Sequence, residues 1–158
     1  MKIRKDIVTN SSSSSFILAF KKSDNVNESI SKQIFGFYGE DAESEEIMFY
    51  IKRIVDDIEE HTISYEELLK ILDEEFQSKG WYAYMKQAAP EDRWEDEPRE
   101  KFIEKYVKEQ KEEFLKIISK DDNFAYISYS DNDGTWFSNL EHNIVPYLYE
   151  NKAQFSHH

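Results

Sequence analysis

An α+β fold, with a small antiparallel sheet packed against several amphipathic helices, is predicted by three patterns in this 158-residue sequence. Three long segments carry apolar residues at helical spacing, one short run near the N-terminus is continuously apolar, and one late segment alternates with a period of two. No strand–helix alternation of the doubly wound kind is visible, and no internal repeat. The N-terminal strand and a C-terminal hairpin are therefore expected to pair, with the helices covering one face, because a hairpin alone is marginal in water.

Phe16-Ile17-Leu18-Ala19-Phe20 reads as a buried strand, reached through Ser11 to Ser15 and ended by Lys21-Lys22-Ser23-Asp24. Asn27 is expected to cap a short helix through Gln33 to Phe35, with Gly36 just past its end and Gly36-Phe37-Tyr38-Gly39 as a turn. From Glu45 to Glu60, Ile47, Ile51, Ile54 and Ile58 recur at spacings of four, three and four, with Met48 and Val55 widening the stripe into an amphipathic helix. Ser64, three residues before Glu67, forms a capping box for a second helix bearing Tyr65, Leu68, Leu69, Leu72 and Phe76, with Gly80 as its stop. The few residues around His61 that join these two helices predict an antiparallel pair.

Residues 81–98 read as an irregular connection, broken by Pro90 and Pro98. Arg99 to Ser119 then carries Phe102, Ile103, Tyr106, Val107, Gln110, Phe114, Ile117 and Ile118 at helical spacing. Phe124 to Ser130 alternates, and Asp131-Asn132-Asp133-Gly134 is expected to turn the chain into a second strand, Thr135 to Leu140. The length suits one domain over 1–156, with residues 1–13 as a flexible basic, Ser-rich segment and His157-His158 as a tag remnant.

Composition narrows the function classes. The absence of cysteine removes disulfide frameworks, thiol nucleophiles and cysteine-ligated metals, and fits a reducing compartment. No segment approaches the ~20 apolar residues a bilayer crossing needs, so a cytoplasmic protein without membrane contact is expected. Net charge is −13, yet residues 1–22 alone carry +4, which leaves −17 on the rest. Such a body repels nucleic acid and favours basic partners. Gly36-Phe37-Tyr38-Gly39 has the outline of a G-x-x-G phosphate clamp, but Glu40, Asp41, Glu43, Glu45 and Glu46 follow it at once. There is no P-loop, dinucleotide fingerprint or G-x-S-x-G elbow, and no cofactor is expected.

The opening residues Lys2, Arg4, Val8, Asn10, the serines and Phe16 resemble the start of a loose group of uncharacterised bacterial proteins that begin M-K-I-R-x-D-[FI]-V-T-N-S-S-S-S-S-[FY]. The resemblance covers about a tenth of the chain. It implies a bacterial, cytoplasmic origin and carries no activity with it.

Three readings of function follow. The first is a non-catalytic interaction module for a basic protein partner, of inhibitor, immunity or nucleic-acid-mimic type, with Trp81, Tyr82 and Trp94 as anchors and Glu95, Asp96 and Glu97 as steering charges. The competing view of those aromatic residues is that Trp81, Tyr84 and Trp94 tuck onto the helices to enlarge the core. The second is a metal-binding protein or metal-dependent hydrolase using Asp131, Asp133, Glu141 and His142. An EF-hand reading fails, because placing Gly134 at the sixth loop position puts Leu140, not Glu141, at the twelfth. His61 has no spacing relation to His142. The third is a structural accessory protein that self-associates along the helix at 99–119. The serine run reads as a flexible or edge-strand segment, or else as a set of hydroxyls and amides that cradles an anion or is read by a modifying partner.

Overall fold

A computed structural model describes residues 12–39, 44–149 and 152–157. The N-terminal signature through Ser11, most of the expected flexible segment, the acids Glu40, Asp41 and Glu43, and His158 lie outside the described residues. The elements are β1 (Ser13–Phe20), α1 (Val26–Tyr38), α2 (Glu45–Glu60), β2 (Thr62–Ile63), α3 (Tyr65–Gln87), α4 (Asp96–Leu115), β3 (Asn123–Ser130) and β4 (Lys152–His157). Between β3 and β4 come a 3-10 turn (Asp131–Asp133), α5 (Thr135–Asn139), a π-helical turn (Leu140–Ile144) and a second 3-10 turn (Val145–Tyr147). The fold is α+β with one open antiparallel sheet, and no helix among the described residues is long and apolar enough to cross a membrane. Where the sequence reading takes 1–156 as one domain, the chain divides into two compact units, Met1–Ile63 with Asp121–His158, and Ser64–Lys120.

In the first unit the strand order is β2-β3-β1-β4. β1 is therefore an interior strand, pairing Phe16 with Ile127 on one side and with Gln154 on the other. This corrects the reading of Ser13 to Ser15 as linker or edge. Two-residue periodicity sets Ser12 and Ser14 on the face shared by Phe16, Leu18 and Phe20, and that face meets Ile30, Ile34, Tyr50, Ile54 and Ile58 in the core. The helix of residues 45–60 forms with the expected bounds, capped by the Ser44 side chain. α1 departs from expectation: Asn25, not Asn27, caps it, and it runs through Gly36 to end at Gly39. Burial of Ile30 and Ile34 carries the helix across the glycine.

The expected hairpin does not form. Thr135 to Leu140 is helical, and the partners of β3 are β1 and β2. Leu140 and Ile144, four apart, bury completely, a spacing that serves a helical face and not a strand. Asp131 and Ser130 are also engaged locally, since the Ser130 hydroxyl accepts from the Asn132 amide, so the Asp-Gly sequence starts a helix instead of a hairpin. The fourth strand comes from residues 152–157.

The second unit is a helical hairpin of α3 and α4. Asp73 meets Lys111, Gly80 meets Ile103 and Tyr106, and Tyr84 meets Phe102, a descending order that makes the helices antiparallel. The Ser64 capping box forms as predicted. Gly80 is not a stop, because the helix continues to Gln87 and uses the glycine as its point of close approach to α4. The irregular connection shrinks to residues 88–95, and α4 starts at Asp96 because Pro98 falls in its first turn, where no intrahelical amide bond is lost. The helix expected to pair with α3, α2, belongs instead to the first unit and packs on α1.

Candidate functional site

Two regions gather the residues singled out by the sequence. The first lies at the end of the β1–β3 pair. Ser13 pairs with Ser130, so Ser12 and Asp131 face each other one step beyond the last rung. The Ser12 amide donates to Asp131 Oδ1 at 2.9 Å, and the Asp131 amide donates to the Ser12 carbonyl at 3.2 Å. The π-helical turn, a local form often found at functional sites, then brings Glu141 and His142 to the same place.

Ser12 Oγ lies 2.9 Å from Asp131 Oδ2, 2.9 Å from Glu141 Oε2 and 3.0 Å from His142 Nε2. His142 Nε2 is also 3.0 Å from Glu141 Oε2. Ser14 Oγ donates to the other carboxylate oxygen, Glu141 Oε1, at 3.1 Å. Glu141 is wholly buried, whereas the His142 side chain remains 43% exposed. A fully buried carboxylate is rare without strong partners, which makes this the least ordinary polar feature of the first unit.

Asp131, Glu141 and His142 thus come together as the metal reading requires, and Asp133 does not. Asp133 instead lines a shallow pocket with Phe49, Thr135, Trp136 and Phe137. Ser12 and Ser14 are additions that the metal reading lacked. Their signal was available in the strand phase: hydroxyls in register with Phe16 and Leu18 point inward, and a buried hydroxyl needs a polar partner.

A serine hydrolase relay does not fit this geometry. In a relay the histidine faces the serine with one nitrogen and the acid with the other. Here Ser12 and Glu141 compete for the same Nε2. A second group, Asp57, Glu60 and His61, also has its ligand atoms close together. Asp57 Oδ2 is already taken there by the Tyr129 hydroxyl at 2.7 Å and by Arg53 Nε at 3.0 Å.

The second region is the connection of the α3–α4 hairpin. Trp94 is 73% exposed, Tyr82 60% and Trp81 40%, while Tyr84 is buried and donates its hydroxyl to the Asp92 carbonyl at 2.9 Å. Only Tyr84 therefore tucks in fully, and Trp94 and Tyr82 stand on the surface. Glu95 precedes α4 without a capping bond from its side chain, and Asp96 and Glu97 occupy the first turn, where the helix dipole favours negative charge. Arg99 covers the Trp81 ring at 4.5 Å and reaches Asp96 at 2.6 Å. Along the hairpin runs a groove of about 680 Å³ lined by Trp81, Ile103 and Val107 together with charges of both signs, including Asp73, Arg99 and Lys111.

No protein family, curated protein or solved structure matches this chain. Chemistry and geometry alone carry the functional argument.

Proposed function

We propose that the chain is a non-catalytic interaction module that docks a basic protein through the aromatic and acidic connection between α3 and α4. The supporting observation is the exposure of Trp94, which directly precedes Glu95, Asp96 and Glu97, together with the exposed Tyr82 of α3, over whose ring Lys86 lies. Tryptophan and tyrosine are the residues that most often supply binding energy when a partner desolvates them, and flanking carboxylates steer a cationic surface into place. The mixed charges of the α3–α4 groove suit a basic partner less well than the connection does. Absence of cysteine and the N-terminal resemblance are consistent with a bacterial cytoplasmic setting.

The test is capture from cell extract by the parent chain and by Trp94→Ala/Tyr82→Ala, at low and at physiological salt, with light scattering to detect self-association. A basic protein retained by the parent, weakened at least tenfold in the variant and released faster by salt is the expected outcome. Equal capture by both chains, or capture indifferent to ionic strength, overturns the reading. Loss of a parent homodimer in the variant replaces the basic partner with a second copy of the chain.

A further inference from the structure

We propose that the groove between α3 and α4 is a self-association surface, in which α4 of a second copy of the chain lies antiparallel to α4 about a twofold axis near residues 105 and 106. The inference goes beyond capture at the α3–α4 connection and does not use Trp94 or Tyr82, neither of which lines the groove.

The groove is built to a helical repeat. Asp73, Gln77 and Trp81 follow one another at steps of four along α3, and Ile103, Val107, Lys111 and Leu115 do the same along α4. Side chains four apart form one continuous row on a helix, and a furrow between two such rows takes the row of a third helix. Its floor is apolar, with Val107 buried and Ile103 and Leu115 half-buried, and Trp81 stands 40% exposed at one end.

Charge selects the occupant. A second row on α4, Glu100, Glu104, Lys108 and Glu112, lines the same groove. All four are exposed, and among the described residues none of their side chains is held in an ion pair. Glu104 and Lys108 do not even pair with each other, although a glutamate four residues before a lysine is the favourable order. Asp73, by contrast, already holds Lys111 at 2.8 Å, and Asp96 holds Arg99 at 2.6 Å.

A uniformly basic helix would set Lys108 against like charge, and a uniformly acidic one would do the same to Glu100, Glu104 and Glu112. What fits is a helix that carries both signs in the reverse order, and α4 read backwards is such a helix. With the twofold between residues 105 and 106, Glu104 comes level with Val107 and Lys108 of the second copy, Glu100 with Lys111, and Glu112 with Arg99. Each contact occurs twice, as in any isologous pair. Parallel docking would instead set every charge against itself, which is costly. Two chains of net charge −13 repel at long range. That repulsion is screened beyond about 8 Å at physiological salt, where contacts within the groove decide.

The experiment is sedimentation velocity on the full chain in about 150 mM NaCl, over micromolar to submillimolar protein. A concentration-dependent monomer–dimer equilibrium is expected. Glu104→Lys and Lys108→Glu each weaken it about tenfold or more, because each sets like charges together twice across the twofold. An equimolar mixture of these two variants, and the double variant Glu104→Lys/Lys108→Glu, return to within about threefold of the parent, a rescue that misfolding cannot produce. Glu109→Lys makes the same charge change outside the groove and dimerises as the parent does, as does Trp94→Ala/Tyr82→Ala. A parent that stays monomeric throughout, a dimer indifferent to both single reversals, or single variants that fail to recover on mixing overturns the proposal. Capture of a basic protein is read separately, through its loss in Trp94→Ala/Tyr82→Ala, so either reading can fail while the other stands.

Discussion

Tyr129 reaches from β3 to place its hydroxyl 2.7 Å from Asp57 Oδ2, the oxygen that also accepts from Arg53 Nε at 3.0 Å. Asp57 is buried on α2, and the Arg53 guanidinium lies 5.3 Å above the Phe137 ring. Burial pushes the Tyr129 phenol well above its ordinary 10.0, and its hydrogen bond to Asp57 pushes further in the same direction. Above pH 10 the unfolded chain therefore gives up a proton that the folded chain keeps, so the contribution of Tyr129 is whole below pH 10 and lost as pH rises. Tyr129→Phe should cost about 1–3 kcal/mol at neutral pH, the loss of a buried hydrogen bond to a charged acceptor. It should also make the alkaline decline shallower by about 1.4 kcal/mol per pH unit. Urea denaturation at pH 8 and pH 11 measures both; parallel losses in parent and variant would show that Tyr129 ionises as freely folded as unfolded.

At the scale of elements, periodicity was a sound guide where a helix has one apolar face and a capping residue, as for α2 with Ile47, Ile51, Ile54 and Ile58 and for the Ser64 start of α3. It failed where a glycine or an Asp-Gly pair has two meanings. Gly80 looked like a terminus, yet it is the contact where α3 meets Tyr106, and an added Cβ would sit 3.1 Å from Tyr106 Cδ1. A helix crossing is a tertiary fact that no local window contains. Gly80→Leu should force the hairpin apart and cost about 1–3 kcal/mol as overpacking, whereas Gly80→Ala should remain closer to the parent because better helix propensity offsets the crowding. Thermal melting ranks the two; Leu tolerated as well as Ala would mean that α4 yields freely. Gly134, at φ 120°, begins α5 with open space around it, so Gly134→Ala meets only a backbone cost of about 1–3 kcal/mol. A melting temperature unchanged in Gly134→Ala would show that the turn relaxes without loss.

Over the whole chain, the fold class was legible because burial patterns repeat along the sequence, and the site was half legible because its parts do not. Asp131, Glu141 and His142 lie within a dozen residues, but Ser12 is more than a hundred away and joins them only through the β1–β3 register. Net charge, by contrast, needs no register to be read, and at −13 it sets two salt effects of opposite sign. Self-repulsion opposes the compact state, so screening should stabilise the fold. Attraction to a cationic partner is screened by the same ions, so association should slow. Raising NaCl from 10 to 150 mM, where the screening length falls from about 30 to about 8 Å, should therefore increase the melting temperature while lowering the on-rate for a basic partner several-fold. Replacing Glu95, Asp96 and Glu97 by their amides should remove part of the kinetic effect and little of the thermal one, because these acids follow Trp94 directly, with Asp96 and Glu97 already paired to Arg99 and Lys101, and they are three of the 33 acidic residues of the chain. Melting curves and stopped-flow association on the same two chains decide it. A variant that loses the thermal effect and keeps the kinetic one would place the steering charges elsewhere on the surface.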